Sequence, residues 1–101
     1  MLTLRQFYLT KLAEECQEVA QRAMKSMQFG TDEVQKDQEK TNAVRLRDEV
    51  EDLLTVITIL EYKTEDLPMI TKSERNSRAV EKILKILKYL KYSQELGMVE
   101  K

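Results

Sequence analysis

The sequence predicts an all-α fold, on three observations. Three long stretches repeat apolar residues at the helical period of three and four. Each stretch opens on a residue suited to cap a helix. The two glycines and the single proline fall at the ends of the stretches rather than inside them.

The first helix is predicted to begin after Thr3, because Gln6 stands where a capping box needs it. It should run to about Gln28, with Gly30 at its C-terminal end. Phe7, Leu9, Leu12, Cys16, Val19, Ala20, Ala23 and Met27 trace its expected buried side. The stretch 31–40, TDEVQKDQEK, is almost wholly polar. It reads as a loop, or as a short solvated helix capped by Thr31 or Asp32.

A second helix is expected to start near Thr41 or Asn42 and to reach about Glu61. Its latter half, LLTVITIL, is apolar nearly all round, which calls for burial against a partner helix or another subunit. That β-branched run could suit a strand, but the helical period extends unbroken from Ala43. Pro68 pushes Leu67 out of the helical region and breaks the chain. Thr71 or Ser73 then caps a third helix, which runs from about Lys72 to Leu96 before Gly97. Ala79, Val80, Ile83, Leu84, Leu87 and Leu90 make its stripe. Arg75, Arg78, Lys82, Lys85, Lys88 and Lys91 make it basic.

A chain of 101 residues corresponds to one domain, residues 1–101. Apolar residues make up 42% and charged residues 35%, which fits a folded helical protein rather than a disordered one. So short a chain buries little core, and long amphipathic helices would leave apolar surface bare, so oligomerisation is expected. A net charge of −1 with both signs interspersed gives no electrostatic case for a nucleic-acid polymer. No apolar run reaches membrane-spanning length, and the N-terminus lacks the pattern of a signal peptide. Cys16 is the single cysteine, which excludes an internal disulfide and suits a reducing cytoplasm. There is no histidine, so acid–base chemistry falls to carboxylates, Lys, Tyr, Cys or metal-bound water.

The acidic residues of the first two helices are placed alike. Leu12, Cys16, Val19 and Ala23 form one apolar stripe, and Leu46, Val50, Leu53 and Ile57 form another. Glu15 and Glu18 follow Leu12 by three and six residues, and Glu49 and Asp52 follow Leu46 by the same intervals. At roughly 100° per residue, both pairs fall on the same flank of their stripes. If the stripes pack together, four carboxylates converge at one edge of the core. Their mutual repulsion calls for a cation, and a hard divalent ion with oxygen ligands fits. A lone ExxE on a charged helix is ordinarily solvated surface. Two such pairs at equal offset make a stronger case.

The stretch KLAEECQEVAQRAMKSMQFG followed by LRDEVEDLLTVITIL resembles the MazG-like all-α nucleoside triphosphate pyrophosphohydrolases, whose motif is EExxE followed by ExxD. EECQE spans Glu14 to Glu18 and EVED spans Glu49 to Asp52. The spacer of 30 residues between Glu18 and Glu49 is longer than the family's, and Gln28 stands where relatives often carry Arg.

The resemblance implies an antiparallel helical bundle completed by assembly into a homodimer or homotetramer. It implies a Mg²⁺-dependent enzyme, with Mn²⁺ as a possible substitute, that splits a nucleotide between its α- and β-phosphates. Glu15, Glu18, Glu49 and Asp52 would hold metal. Glu14 and Glu15 would be catalytic, Glu14 in a supporting or water-orienting role. Arg45, Arg78 and Lys82 would contact the triphosphate, and removal of non-standard or excess nucleotides is the expected task. The alternatives are a phosphoribosyl-ATP pyrophosphatase-like enzyme and a non-catalytic helical interaction protein.

Overall fold

The computed structural model describes all residues, Met1–Lys101. The chain is helical, with α1 at Leu4–Phe29, α2 at Asn42–Lys63 and α3 at Lys72–Glu95, and it has no strand. It divides into two compact units, Met1–Pro68 and Met69–Lys101.

Local chemistry sets the ends of the helices. Thr3 and Gln6 form the expected capping box, with the Gln6 amide donating to Thr3 Oγ1 at 3.1 Å and the Thr3 amide donating to Gln6 Oε1 at 2.9 Å. Gly30 ends α1 at φ 96°, a conformation that a side chain would strain. Thr41, not Asn42, caps α2 by accepting from the Val44 amide. Thr71, not Ser73, caps α3, and Glu74 closes a second capping box with it.

In the first unit α1 and α2 run antiparallel. Arg22 of α1 meets Asn42 at the start of α2, and Arg5 meets Asp66 just past the end of α2 at 2.6 Å. The packed side of α1 differs in part from the expected one. Tyr8, Lys11, Leu12, Glu15, Val19, Arg22, Lys25 and Ser26 are its covered positions, Leu12 and Val19 as expected, whereas Phe7, Leu9, Cys16, Ala20, Ala23 and Met27 are exposed. The covered row lies about 100° around the helix from the row of small apolar residues. Arg22 has a bonding partner at the start of α2, the Asn42 side chain. Tyr8, Leu12 and Val19 bring apolar surface to the covered row, while the small residues Ala20 and Ala23 beside it have little surface to bury.

On α2 the covered positions include Leu46, Glu49, Val50, Leu53, Val56 and Ile57, as the stripe requires. Of the apolar end, Leu60 alone is fully buried, and Leu54 stays 47% exposed. The burial expected there on more than one side is absent within this chain.

The connection 31–41 is a series of turns and contains no helix. It is held by polar bonds, because it has almost nothing apolar to bury. Asn42, 1% exposed, donates through Nδ2 to the Gly30 carbonyl at 2.9 Å and to Glu33 Oε1 at 3.1 Å. Its Oδ1 accepts from Arg22 Nη1 at 3.4 Å, and its amide donates to the Glu33 carbonyl. The amide of Ala43 reaches back to the carbonyl of Thr31. Asp37 adopts φ 67°, a left-handed turn conformation that Asp tolerates.

The second unit is α3 with its flanks. Its stripe of Val80, Ile83, Leu84, Leu87 and Leu90 is exposed along its length. The charge is segregated rather than interspersed. Up to Pro68 there are nine basic and fourteen acidic side chains, and beyond it there are eight basic and four acidic.

Candidate functional site

The acids come together where α1 and α2 face each other. Glu15, Glu18 and Glu49 each offer one carboxylate oxygen, and these oxygens all lie within 4.8 Å of one another. Helical spacing explains the grouping. Glu15 sits in the covered row of α1, Glu18 is one turn on, and Glu49 sits in the covered row of α2. Oε2 of Glu15 and Oε2 of Glu49 are buried with no hydrogen-bond partner.

Such a site resists full ionisation. Burial first, then the charges of Glu18, Asp52 and Glu14, push the Glu15 carboxyl above its ordinary range. Burial, then the adjoining Glu18 carboxylate, then Asp52 and Glu15, push Glu49 up in the same direction.

Asp52 acts on both groups through its charge but stands outside the trio of oxygens within 4.8 Å. Of the four carboxylates expected to converge, three do so. Glu14 is exposed and engaged by Lys11 at 3.1 Å, on the side of α1 away from the covered row.

Arg45 lies on α2 one turn before Glu49, and its Nη1 donates to Gln35 Oε1 of the connection at 2.9 Å. It borders a cleft of about 530 Å³ walled by residues 37–40 of the connection and by Arg45, Asp48 and Glu49 of α2. Across this cleft Lys40 Nζ meets Asp48 Oδ2 at 2.8 Å. The pairing with Asp48 raises the proton affinity of Lys40. Arg78 and Lys82 belong to α3 in the second unit, four residues apart and exposed.

Three residues here escaped sequence reasoning. Asn42 looks like a cap, and nothing in its neighbourhood announces that it anchors the preceding loop. Lys40 is one charge in a charged run, and its pairing with Asp48 across the start of a helix carries no periodic signal. Arg22 lies in a polar position whose partner comes from 20 residues away.

Comparison of the chain with protein-family models, with curated proteins and with solved structures finds no match.

Proposed function

We propose that this chain is a Mg²⁺-dependent nucleotide pyrophosphohydrolase of the MazG-like kind, converting a nucleoside triphosphate to the monophosphate and pyrophosphate. One observation carries the reading. Carboxylate oxygens of Glu15, Glu18 and Glu49 lie within 4.8 Å, and Glu15 and Glu49 each bury an oxygen with no partner.

The donor set fits a hard divalent ion. Around octahedral Mg²⁺, with bonds of about 2.1 Å, ligand oxygens stand roughly 3–4 Å apart, so the trio needs only a small contraction. Three carboxylates without nitrogen or sulfur favour Mg²⁺ or Mn²⁺ over softer ions. Glu15, Glu18 and Glu49 would hold the ion, with Asp52 adding charge beside them. The ion would neutralise phosphate charge and acidify a water.

The chain's own groups do the rest. Glu15, grouped with Glu18 and Glu49, would accept a proton at the carboxylate oxygen not taken by the ion. Glu14, once released from Lys11, can steer water beside it. Arg45 offers a fork of donors to phosphate oxygens one turn from Glu49.

Assembly into a homodimer or homotetramer, giving a helical bundle, is part of the same reading. Leu60 is the one fully buried apolar residue, while Leu9, Met27 and the α3 stripe are exposed. Apolar surface on this scale calls for a partner, and the opposite charges of the two units suit a second copy. No helix is long and apolar enough to cross a membrane. A nucleotide substrate places the proposed activity in the cytoplasm.

The test is pyrophosphate release from a panel of standard and modified nucleoside triphosphates and phosphoribosyl-ATP, with Mg²⁺ and with EDTA. Release that needs metal and disappears in Glu49→Gln supports the reading. No release from any compound sinks it in favour of a non-catalytic helical protein.

A further inference from the structure

The cleft beside the acid trio has a use that the trio does not explain. Its volume of about 530 Å³ lies in the range of small-molecule sites. Glu49 belongs to both places, so a ligand with one end at the trio can extend into the cleft without a break. The wall formed by residues 37–40 does not hang free. The turns before it are tied to Asn42 and Arg45, and the Gln38 amide donates to the Gln35 carbonyl at 2.9 Å.

Two cations face this space, and each is lightly held. Lys40 has Asp48, and Arg45 has Gln35. Both members of the Lys40–Asp48 pair are about half exposed, so the pair contributes little stability. A phosphate oxygen can therefore replace Asp48 at small cost, and it accepts from a lysine ammonium at least as well as a carboxylate does. Asp48 meanwhile keeps the ammonium charged and pointed across the cleft.

The carboxylates of the cleft restrict what enters. Asp37, Glu39, Asp48 and Glu49 outnumber Lys40 and Arg45. A bare polyphosphate is repelled by that balance, whereas one carrying a divalent cation is not.

We infer that the cleft between the 31–41 connection and α2 takes the phosphate chain of the nucleotide as its divalent-metal complex, with Lys40 as a substrate-binding residue that exchanges Asp48 for a phosphate oxygen. This rests on the proposed function and adds the place of the phosphates and a residue to hold them.

Inorganic tripolyphosphate is the probe, because it is independent of base preference. Binding is measured by calorimetry with and without Mg²⁺, and amide shifts are mapped by NMR on the full chain. The expected result is binding that requires Mg²⁺, with shifts centred on residues 37–49. Lys40→Gln should weaken it about tenfold. Lys40→Arg should retain it, and Lys36→Gln, on the same connection but outside the cleft, should leave it unchanged. Wild-type affinity in Lys40→Gln, shifts confined to other residues, or tighter binding without Mg²⁺ would each overturn the inference. The two readings separate cleanly. Pyrophosphate release from nucleotides with normal Lys40→Gln behaviour removes this inference alone. Cleft binding that depends on Lys40, without any pyrophosphate release, removes the enzymatic reading alone.

Discussion

Glu15 on α1 and Glu49 on α2 each bury one carboxylate oxygen that meets no hydrogen-bond partner, and together with Glu18 they bring three carboxylate oxygens within 4.8 Å. Without a cation this arrangement opposes folding, since burial and like charge both act against ionisation. The site is thus held against its own electrostatics by the packing of the two helices.

The pH dependence follows from that. Glu15 and Glu49 hold their protons more tightly folded than unfolded, where their value is near 4.5. The folded state therefore binds more protons above that value, and stability falls as pH rises through the folded values. Glu74 acts in the opposite sense. Hydrogen bonds from Thr71 lower its pKa, so its contribution is lost as pH falls below 4.5. Metal-free protein should therefore be less stable at pH 8 than in mildly acidic solution just above the unfolded value. Thermal unfolding across a pH series with EDTA checks this, and a melting temperature that rises steadily to pH 8 contradicts it.

Divalent metal should reverse that penalty. At a concentration a hundredfold above its Kd, Mg²⁺ or Mn²⁺ bound at the trio should stabilise the fold by about 2.7 kcal/mol. Glu49→Gln removes one buried charge. It should raise the melting temperature of the metal-free protein by about 3 °C and abolish the gain on adding metal. Scanning calorimetry of both proteins with Mn²⁺ and with EDTA gives the comparison. A mutant that melts lower without metal would mean that Glu49 serves the fold and not a cation.

Asn42 joins the end of α1, the connection and the start of α2. Asn42→Ala leaves the Gly30 carbonyl and the Glu33 carboxylate without their donor and should cost about 2–3 kcal/mol. Urea unfolding measures the loss, and hydrogen exchange should rise first across residues 31–41. Uniform exchange throughout α1 and α2 instead would assign Asn42 a global role.

Leu60 is the one fully buried apolar side chain. Leu60→Ala should cost about 2–4 kcal/mol through lost burial and the cavity left behind. In a unit with so little core, that is a large part of total stability. Denaturant melts should show a lowered midpoint with an unchanged slope. A loss below about 0.5 kcal/mol would mean that the site collapses around the smaller residue.

Thr3 and Thr71 each accept from the amide three residues on and form capping boxes. Thr3→Ala and Thr71→Ala should each cost about 1 kcal/mol. Circular dichroism of the two variants, melted side by side, reads the effect. Equal stability to wild type would show that these helix ends fray in solution whatever caps them.

Helix limits were legible in the sequence because their causes are local. Thr3 with Gln6 three residues on, a glycine past the last turn and Pro68 act within a few residues of where they stand. The acidic trio was also largely legible, since equal offsets from two stripes predict that Glu15, Glu18 and Glu49 share an edge. Asp52 was placed with them on the same reasoning. Spacing gives direction around a helix but not the distance between two helices, so it could not separate the three oxygens that meet from the one that acts through charge alone.

What the sequence by itself determined, then, is the three long helices, their approximate limits and the grouping of acids on α1 and α2. Only the tertiary structure decided which face of α1 is covered. Leu9, Ala13, Cys16, Ala20, Ala23 and Met27 form a row at packing period, and Tyr8, Leu12, Glu15, Val19, Arg22 and Ser26 form another beside it. The stripe of Leu12, Cys16, Val19 and Ala23 straddles the two rows, and α2 covers the second. Periodicity records how apolar a face is, while the covered face is chosen by what lies opposite. Here that includes Asn42 for Arg22, a residue 20 positions away in the chain. The same holds for Lys40 and Asp48, whose meeting depends on the path of a connection that has no period of its own.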